Sequence, residues 1–339
     1  WVGYRLRFWP DPVILSAMQL LKYALPYLFL SLAAASTAHA RGTIEKVDIT
    51  GLDRGDDAEM IENIEVSLSL YDTIGKVQGE SRLEYLLSQA ERQTRGALEP
   101  FGFYNPVITV ESPREGDNLR VVIHVEKGPP TLVRRENIDI TGPAQLDQYL
   151  QEDLENFRPR KGQRFEHTLY DASRVTITRR LAERGYFDAG FTQRRVEITR
   201  AENAAHIDLT WDSGRRYNMG DIRFHQDYFV ERLFDPLVYW EKGSYFHEGK
   251  LDRLRESLTK LDYFSVIDIQ PQPDQADENG NVPVDVTLTR AKRSIYTAGI
   301  SYGSESGAGV RGGLERRFLN SRGHKMNTQL DYAQKRKSL

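Results

Sequence analysis

The sequence has 339 residues, a formal net charge of −3 and no cysteine. The small net charge excludes a global field that would draw the whole chain to nucleic acid or acidic lipid, and the missing thiols exclude disulfides, thiolate metal sites and cysteine nucleophiles. With 39% apolar and 28% charged residues, the chain is suited to two or three small domains that expose much of their surface.

The N-terminal region is typical of a secretory signal that follows additional upstream residues. The first methionine is Met18, and Lys22 supplies a basic start. An apolar run follows at residues 23–35, and Ala38 and Ala40 frame an A-x-A cleavage site. The alternative is a membrane anchor, but the run is shorter than the roughly 20 residues that a spanning helix needs. We therefore expect a cleaved signal and an exported mature chain.

A local pattern occurs three times in the remaining sequence: a helix end, a turn residue, two aromatic side chains and the entry to a strand. The turn residues are Gly102, Gly185 and Asp262, which lie 83 and 77 residues apart. Nearly equal spacing of one local pattern predicts a repeated module.

The second copy shows the order of elements most clearly. Alternation predicts strands over residues 136–143, 195–199 and 206–211, and helical spacing predicts helices over 146–157 and 169–181. The inner helix faces are expected at Leu146, Leu150, Leu154 and Phe157, and at Leu169, Ser173, Ile177 and Leu181. The predicted order is strand, helix, helix, strand, strand.

The first and third copies repeat this order. In the first copy we predict a strand over residues 44–49, helices over 60–68 and 83–98, and a hairpin over 107–125. In the third copy we predict a strand over residues 222–224, helices over 230–237 and 251–261, and a hairpin over 267–288 with a tight-turn signal at Asn279-Gly280. Each copy would then be a small sheet with two helices on one face and open edges that can accept a guest strand.

The pattern changes at Ser294. Tyr296, Ala298, Ile300 and Tyr302 alternate with polar or small residues, except Ile295, and a glycine-rich link over 303–309 leads to further strands over 310–318 and 325–332. Strands of about ten residues with tyrosines are typical of transmembrane β-barrels; the alternative is one more soluble antiparallel sheet. We expect three such strands at most before Leu339, and therefore a fragment of a longer protein.

The three units and the segment that follows them resemble a known superfamily. The segment reads Arg-Arg-Phe-Leu-Asn-Ser-Arg-Gly-His-Lys over residues 316–325. Its Phe318–His324 portion resembles the turn between the second and third barrel strands of the POTRA-barrel assembly factors of the Gram-negative outer membrane. Three POTRA units after a signal peptide resemble the TamA family, the outer-membrane subunits of the translocation and assembly module. BamA relatives carry five such units and two-partner secretion transporters two.

The resemblance implies an α+β fold: three tandem POTRA (βααββ) domains followed by the first strands of a truncated transmembrane antiparallel β-barrel. The complete family barrel has about sixteen strands, an even number as in other bacterial barrels. The expected divisions are residues 1–40 for upstream residues and signal peptide, 41–129, 130–215 and 216–292 for the three POTRA domains, and 293–339 for the start of the barrel.

Motifs of enzyme or ligand sites are incomplete in this sequence. Residues 307–312 fit G-x-G-x-x-G, but the helix that a dinucleotide site needs does not follow, which favours a glycine-rich barrel loop. His247-Glu248 begins a zinc motif that fails at Leu251. Residues 277–280 partly resemble a calcium loop but favour a hairpin tip. We therefore predict no catalytic, cofactor or metal residues, no enzyme activity and no nucleic-acid partner.

The resulting hypothesis is an assembly factor that helps insert or translocate outer-membrane barrel proteins such as autotransporters. Its POTRA edges would bind extended client segments, and its first barrel strand would lie at a seam where the barrel ends meet. The predicted seam residues are Ile295, Tyr296, Ala298, Ile300 and Tyr302. The alternatives are a secretion pore of the two-partner type and a purely periplasmic POTRA scaffold.

The resemblance also implies a location and partners. It places the barrel in the outer membrane and the POTRA domains in the periplasm. The implied partners are unfolded outer-membrane client proteins, an inner-membrane partner of the TamB type, and the lipid bilayer.

Overall fold

The computed structural model of the chain describes residues 41–303, 307–333 and 336–338. The predicted cleavage residues Ala38 and Ala40 lie outside the described residues. The described chain forms three units that each combine a sheet with helices, followed by a C-terminal sheet. None of the helices in this part is long and apolar enough to cross a membrane.

The first unit is a mixed sheet with two helices on one face. Its elements are β1 (Arg41–Thr50), α1 (Ala58–Ser67), β2 (Val77–Gly79), α2 (Glu80–Leu98), β3 (Val107–Glu111), β4 (Arg114–Glu115) and β5 (Asn118–Glu126). The sheet order is β2-β1-β5-β3, with β4 also paired to β5. Strands β1 and β5 are parallel, and β3 is antiparallel to β5. The predicted order of elements is present, with the short strands β2 and β4 in addition.

The second unit repeats this arrangement with three strands. Its elements are β6 (Leu132–Thr141), α3 (Gln148–Glu155), α4 (His167–Glu183), β7 (Gly190–Thr199) and β8 (Ala204–Asp212). The sheet order is β6-β8-β7, with β6 and β8 parallel and β7 and β8 antiparallel. After α4 the chain forms the antiparallel pair β7 and β8, and β8 lies beside β6, the first strand of the unit.

Two residues predicted on the inner helix faces of the second unit are exposed. Leu146 is 92% exposed because it ends a 3₁₀ turn and α3 begins only after the N-cap residue Asp147, whose side chain accepts a hydrogen bond from the Tyr149 amide. Leu169 is 42% exposed, whereas its neighbour Tyr170 is buried. The inner face of α4 therefore begins one residue later than predicted.

The third unit departs from the predicted order. Its elements are β9 (Asn218–His225), α5 (Glu248–Lys260), β10 (Phe264–Pro271) and β11 (Asn281–Arg290), in the sheet order β10-β11-β9. The predicted helix over 230–237 is wrong, because this segment contains only a 3₁₀ turn at Asp235–Leu237. Pro236 would have stood inside the helix, where it removes a backbone hydrogen bond and clashes with the preceding turn, and Arg232 has a positive φ of 64°.

The turn signal at Asn279-Gly280 ends a longer connection instead of forming a two-residue hairpin. Strands β10 and β11 are separated by residues 272–280. The Gly280 amide donates to the Asp277 carbonyl at 2.8 Å, and Gly280 has a φ of 76°. The turn is present at the predicted place, but the loop before it was not predicted.

The C-terminal sheet is antiparallel and follows the chain order. It consists of β12 (Ser294–Gly303), β13 (Gly307–Arg316), β14 (Met326–Ala333) and β15 (Arg336–Ser338). The prediction of three strands at most is wrong, because the short β15 pairs with β14. The predicted glycine-rich link over 303–309 is also shorter than expected, since Gly307 and Gly309 belong to β13 and pair with Gly303 and Ser301.

Each unit has its own hydrophobic core, and aromatic residues from neighbouring segments complete these cores. Tyr104, which follows the last helical turn of the first unit, is buried in the core of the second unit. Phe187, at the equivalent position of the second unit, packs against the core of the third. Phe318, from the connection between β13 and β14, is buried in that same third core. Side chains that cross between units therefore hold the described chain together.

The three predicted turn residues have the left-handed backbone conformation. Gly102, Gly185 and Asp262 have φ angles of 83°, 84° and 54°. The carbonyls of the two glycines accept hydrogen bonds from the Thr131 and Tyr217 amides, each at 2.8 Å. The left-handed turn thus ends the helix and presents a backbone acceptor to the next unit.

The same glycines allow close approach of the next unit. A Cβ atom on Gly102 would lie 2.5 Å from the Phe165 carbonyl oxygen, and one on Gly185 would lie 2.6 Å from the Phe246 Cβ. Phe165 and Phe246 end two short connectors, residues 161–165 and 242–246, which both begin with Lys-Gly. Each joint between units therefore packs a connector of one unit against the turn glycine of the unit before it.

Substitution of Gly185 by alanine tests this close contact. Gly185→Ala should destabilise the joint through backbone strain of roughly 1–2 kcal/mol and through overpacking of about 1–3 kcal/mol. Gly162→Ala is the matched control, since Gly162 also has a positive φ but a Cβ atom there would meet nothing beyond its chain neighbours within 4 Å. Hydrogen exchange at the Tyr217 amide should accelerate more in Gly185→Ala; equal acceleration in both variants would contradict the proposed contact.

His247 makes the stability of the third unit dependent on pH. Its Nδ1 accepts a hydrogen bond from the Gly249 amide at 3.0 Å and caps α5, and burial, followed by the Arg184 charge, lowers the pKa of its ring below the usual 6.5. Above pH 6.5 the ring is neutral in both states, so the stabilisation is complete; as pH falls below 6.5 the unfolded state binds the proton first and stability decreases. His247→Asn keeps a capping acceptor and should flatten this loss in denaturant titrations across that pH range. An unchanged pH profile would show that His247 does not cause it.

Candidate functional site

All five predicted seam residues lie on one edge strand. Strand β12 pairs with β13 on one side, and no described strand pairs with its other side. Tyr296, Ile300 and Tyr302 are 74%, 92% and 86% exposed. Ala298 lies between them on the same face, whereas Ile295 points to the opposite face and is half-buried. The edge strand β12 thus carries a row of exposed apolar side chains on one face.

The C-terminal sheet has one apolar and one polar face. Directly paired residues of an antiparallel sheet share a face, so the register assigns each side chain. The apolar face carries Tyr296, Ala298, Ile300, Tyr302, Ala308, Val310, Leu314, Met326, Leu330 and Tyr332. The polar face carries Thr297, Ser301, Arg311, Glu315, Asn327, Gln329 and Asp331, with Arg311 and Asp331 paired. The exceptions include Arg316 and Thr328 on the apolar face and Ile295 and Ala333 on the polar face.

The apolar face has the pattern of transmembrane β-strands. The row from Tyr296 to Tyr302 is roughly 20 Å long at the rise of an extended strand, comparable to the apolar band of about 25 Å between the aromatic girdles of such barrels. Tyr296 lies near one end of the face, and Tyr302 and Tyr332 lie near the other. Ile300 remains 92% exposed, and the buried cores of the three units contain none of these face residues. Among the described residues, nothing covers this apolar face.

The connection between β13 and β14 is anchored in the third unit. Phe318 is buried to 3% exposure, with its ring centroid 5.3 Å from Tyr228 and 5.5 Å from Phe229. The Tyr263 hydroxyl donates to the Gly323 carbonyl at 2.6 Å. The irregular segment that contains Phe229 therefore packs against this connection. A regular helix in its place would not form the same contacts.

Two arginines fix the start of β12 to this anchored connection. The Arg293 Nε donates to the Phe318 carbonyl at 2.9 Å. Arg317 donates from its side chain to the Lys292 carbonyl at 3.0 Å and forms an ion pair with Asp262 at 2.7 Å. Sequence reasoning missed these roles; the only available signal was the basic pair at the start of the 316–325 segment.

The structure also supplies free strand edges in the three units. Strand β7 forms one edge of the second sheet and has ten residues. A register shift at Thr192 marks a bulge, and Arg194 and Arg195 are exposed. Bulges and edge charges hinder pairing between folded copies, but the backbone of β7 is still available to an extended peptide. Together with β6, which forms the other edge of this sheet and also has ten residues, β7 is the longest edge strand among the described units.

A second candidate lies beside β1 in the first unit. A groove of about 530 Å³ runs between β1 and α1, where β1 is no longer covered by β2. Its lining includes Val47, Ile49, Ile61, Glu65 and Tyr71. Burial, followed by the Glu65 charge, raises the pKa of Tyr71 to about 12, so its hydroxyl stays protonated. The groove combines a strand edge with an apolar and acidic wall.

The structure places the incomplete sequence motifs in ordinary backbone elements. Residues 307–312 lie within β13, so they are strand and not the loop that we expected. Asp277 accepts hydrogen bonds from the backbone and side-chain amides of Asn281, at 2.9 and 2.7 Å, which satisfies its carboxylate within the loop. No group of acidic or histidine side chains in the described ranges has the arrangement of a metal site.

Comparison with known proteins agrees with this architecture. Residues 46–127 match the family model of the first POTRA domain of TamA. The structure is similar to BamA from Haemophilus ducreyi lacking POTRA domains 1–3, with a TM-score of 0.50 and 17% identity over 60% of this chain and 37% of that chain. It also matches BamA POTRA 3–5 from Haemophilus influenzae, with a TM-score of 0.40 and 16% identity over 74% of this chain and 97% of that one.

A third similar structure is CdiB from Acinetobacter baumannii, with a TM-score of 0.34 and 11% identity over 61% of this chain and 39% of that chain. The chain thus spans well under half of the BamA chain from Haemophilus ducreyi and of CdiB. Residues 46–127 thus match the first POTRA domain of TamA, and the fold of sheet-and-helix units leading into an antiparallel sheet is similar to that of the BamA structure from Haemophilus ducreyi.

Proposed function

We propose that this chain belongs to an outer-membrane assembly factor that helps insert or translocate barrel proteins such as autotransporters. The observation that carries the proposal is an amphipathic sheet whose edge strand β12 is free of any described partner on one side, while its base is anchored in the third unit. The chain acts by offering backbone partners and makes or breaks no covalent bond. The POTRA units lie in the periplasm and the sheet in the outer membrane.

At the proposed seam, the edge of β12 would supply what a client strand lacks in lipid. Each unpaired backbone amide or carbonyl costs several kcal/mol in the hydrocarbon core. A client edge strand that pairs with β12 satisfies these groups before its own barrel closes. The energy comes from the client's folding, so no nucleotide is needed.

The strand edges of the units serve extended client segments before insertion. Main-chain hydrogen bonds along β7 provide affinity that is independent of one client sequence. The bulge at Thr192 and the exposed Arg194 and Arg195 limit pairing between folded copies of the chain. The proposed partners are unfolded outer-membrane clients, an inner-membrane protein of the TamB type, and the bilayer that the apolar face contacts.

A secretion pore is the second candidate. Its support is the polar face of the C-terminal sheet, where Arg311, Asp331 and Gln329 would line a water-filled lumen. In that case the exported partner would pass along the polar face and would not pair with the edge of β12. The two functions therefore predict different contact positions for the client.

Cysteine cross-linking separates these two functions, because the chain has no native cysteine. Tyr296→Cys and Ile300→Cys on β12 should form disulfides with a single cysteine in the terminal strand of a client barrel, since strand pairing brings opposite residues within about 5.5 Å. Gln329→Cys on the polar face is the matched control and should capture little client. Adducts formed only by Gln329→Cys would favour secretion and contradict the proposed seam.

The edge of β7 is tested in the same way. Gln193→Cys, at an exposed edge position, should cross-link to extended client segments on the periplasmic side. Arg179→Cys, on the exposed surface of α4 in the same unit, should not. Equal yields at both positions would indicate random collisions in place of strand addition.

A further inference from the structure

The charges of this chain are segregated, although its net charge is small. Residues 41–129 contain 17 acidic and 10 basic residues, a formal charge of −7. Residues 293–339 contain 3 acidic and 9 basic residues, a formal charge of +6. The positive charge therefore accompanies the C-terminal sheet, where the chain also exposes its apolar face.

Five cations gather at the base of the C-terminal sheet. The register aligns Ser294, Arg316 and Met326 in one row across β12, β13 and β14. The five are Lys292, Arg293, Arg316, Arg322 and Lys325, which we call the basal cations. Lys292, Arg293 and Lys325 lie within two residues of this row, or roughly 7 Å along a strand. Arg322 lies in the anchored connection below it.

Within the described ranges, the basal cations have no ion-pair partners. Two neighbouring arginines do find carboxylates: Arg290 pairs with Asp227 at 2.9 Å, and Arg317 pairs with Asp262 at 2.7 Å. Among the described residues, none of the five basal cations has a carboxylate oxygen within 4 Å. Unneutralised like charges in one place repel each other and attract anions, so the region is suited to an external negative partner.

The other contacts of the basal cations do not neutralise their positive charge. The Arg293 guanidinium donates to the carbonyls of Phe318 and Leu319, which carry no net charge. The Lys325 Nζ lies 5.1 Å from the centre of the Tyr263 ring. Lys292, Arg293, Arg322 and Lys325 are exposed, and Arg316 is half-buried.

The position of the basal cations relative to the apolar face indicates the partner. Tyr296, the first exposed apolar residue of β12, lies two residues beyond Ser294, or about 7 Å along the strand. The polar headgroup region of a bilayer extends roughly 5–7 Å beyond each side of the hydrocarbon core. If the apolar face contacts lipid tails, the basal cations lie at the level of the phosphate groups.

We propose that the basal cations form a binding surface for anionic phospholipid headgroups on the side of the membrane that faces the third unit. The apolar face and the cations then contact two parts of the same lipids, which is why we favour lipid over an acidic protein. Headgroup binding holds the base of β12 at a defined depth. This inference goes beyond client assembly, and its test needs no client.

The test is binding of the full chain to phosphatidylcholine vesicles with and without phosphatidylglycerol. The triple variant Lys292→Gln, Arg322→Gln, Lys325→Gln should partition onto the anionic vesicles about 100-fold more weakly, since each basic residue near an anionic surface contributes roughly fivefold. The control variant Arg54→Gln, Arg134→Gln, Lys161→Gln also removes three exposed cations that form no ion pair within the described chain and should bind as the unchanged chain does. All chains should bind neutral vesicles equally, which shows that the substitutions leave the fold and the apolar face intact.

Three outcomes would overturn the proposal. If the triple variant and the control variant bind anionic vesicles equally, the basal cations do not contact lipid and an acidic protein is the better partner. If soluble glycerol phosphate displaces the vesicles at constant ionic strength, the surface binds free phosphate and not a membrane. If the triple variant also loses binding to neutral vesicles, its effect is structural.

Discussion

Burial of the Phe318 ring in the third unit is the contact on which the rest of the arrangement depends. The ring joins a core that includes Phe229 and Tyr263, and removal of a buried phenylalanine side chain typically costs about 3–5 kcal/mol. The backbone of the same connection is held by Tyr263 and Arg293. Because β12 starts beside this anchor, its base is fixed while its far end has only β13 as a described neighbour. A free edge is useful for transient pairing only if the sheet that carries it is held in place.

The same local backbone conformation, a left-handed turn, occurs at each connection between units. A left-handed turn residue ends each last helix, and an aromatic side chain two positions later enters the neighbouring core, as Tyr104 and Phe187 do. At the third position Asp262 replaces glycine, and its carboxylate forms the ion pair with Arg317. The third joint therefore combines packing with an ion pair, as the first joint does through Arg200 and Glu99 at 2.6 Å. This joint also connects the third unit to the C-terminal sheet, which exposes an apolar face.

The division of charge gives the described chain two chemically different regions. The first unit is acidic and repels anionic surfaces, whereas the base of the C-terminal sheet is basic and attracts them. At physiological ionic strength such fields extend only about 8 Å, so the two charges act separately. Under the two proposals, the strand edges of the units would remain available to clients while the basal cations contact headgroups. The small net charge of the whole chain conceals this division.

Local pattern in the sequence determined the repeat, most helices and strands, the left-handed turns and the row of seam residues on β12, because these depend on periodicity and on glycine's freedom at positive φ. Sequence and tertiary structure together decided the conformation of residues 230–237. Their helical spacing is real, but Pro236 and the burial of Phe318 favour an irregular segment. Packing likewise decided that Leu146 is exposed, since helix boundaries follow capping as well as spacing. The basal cations became one surface only through strand register, which brings together residues that lie far apart along the chain.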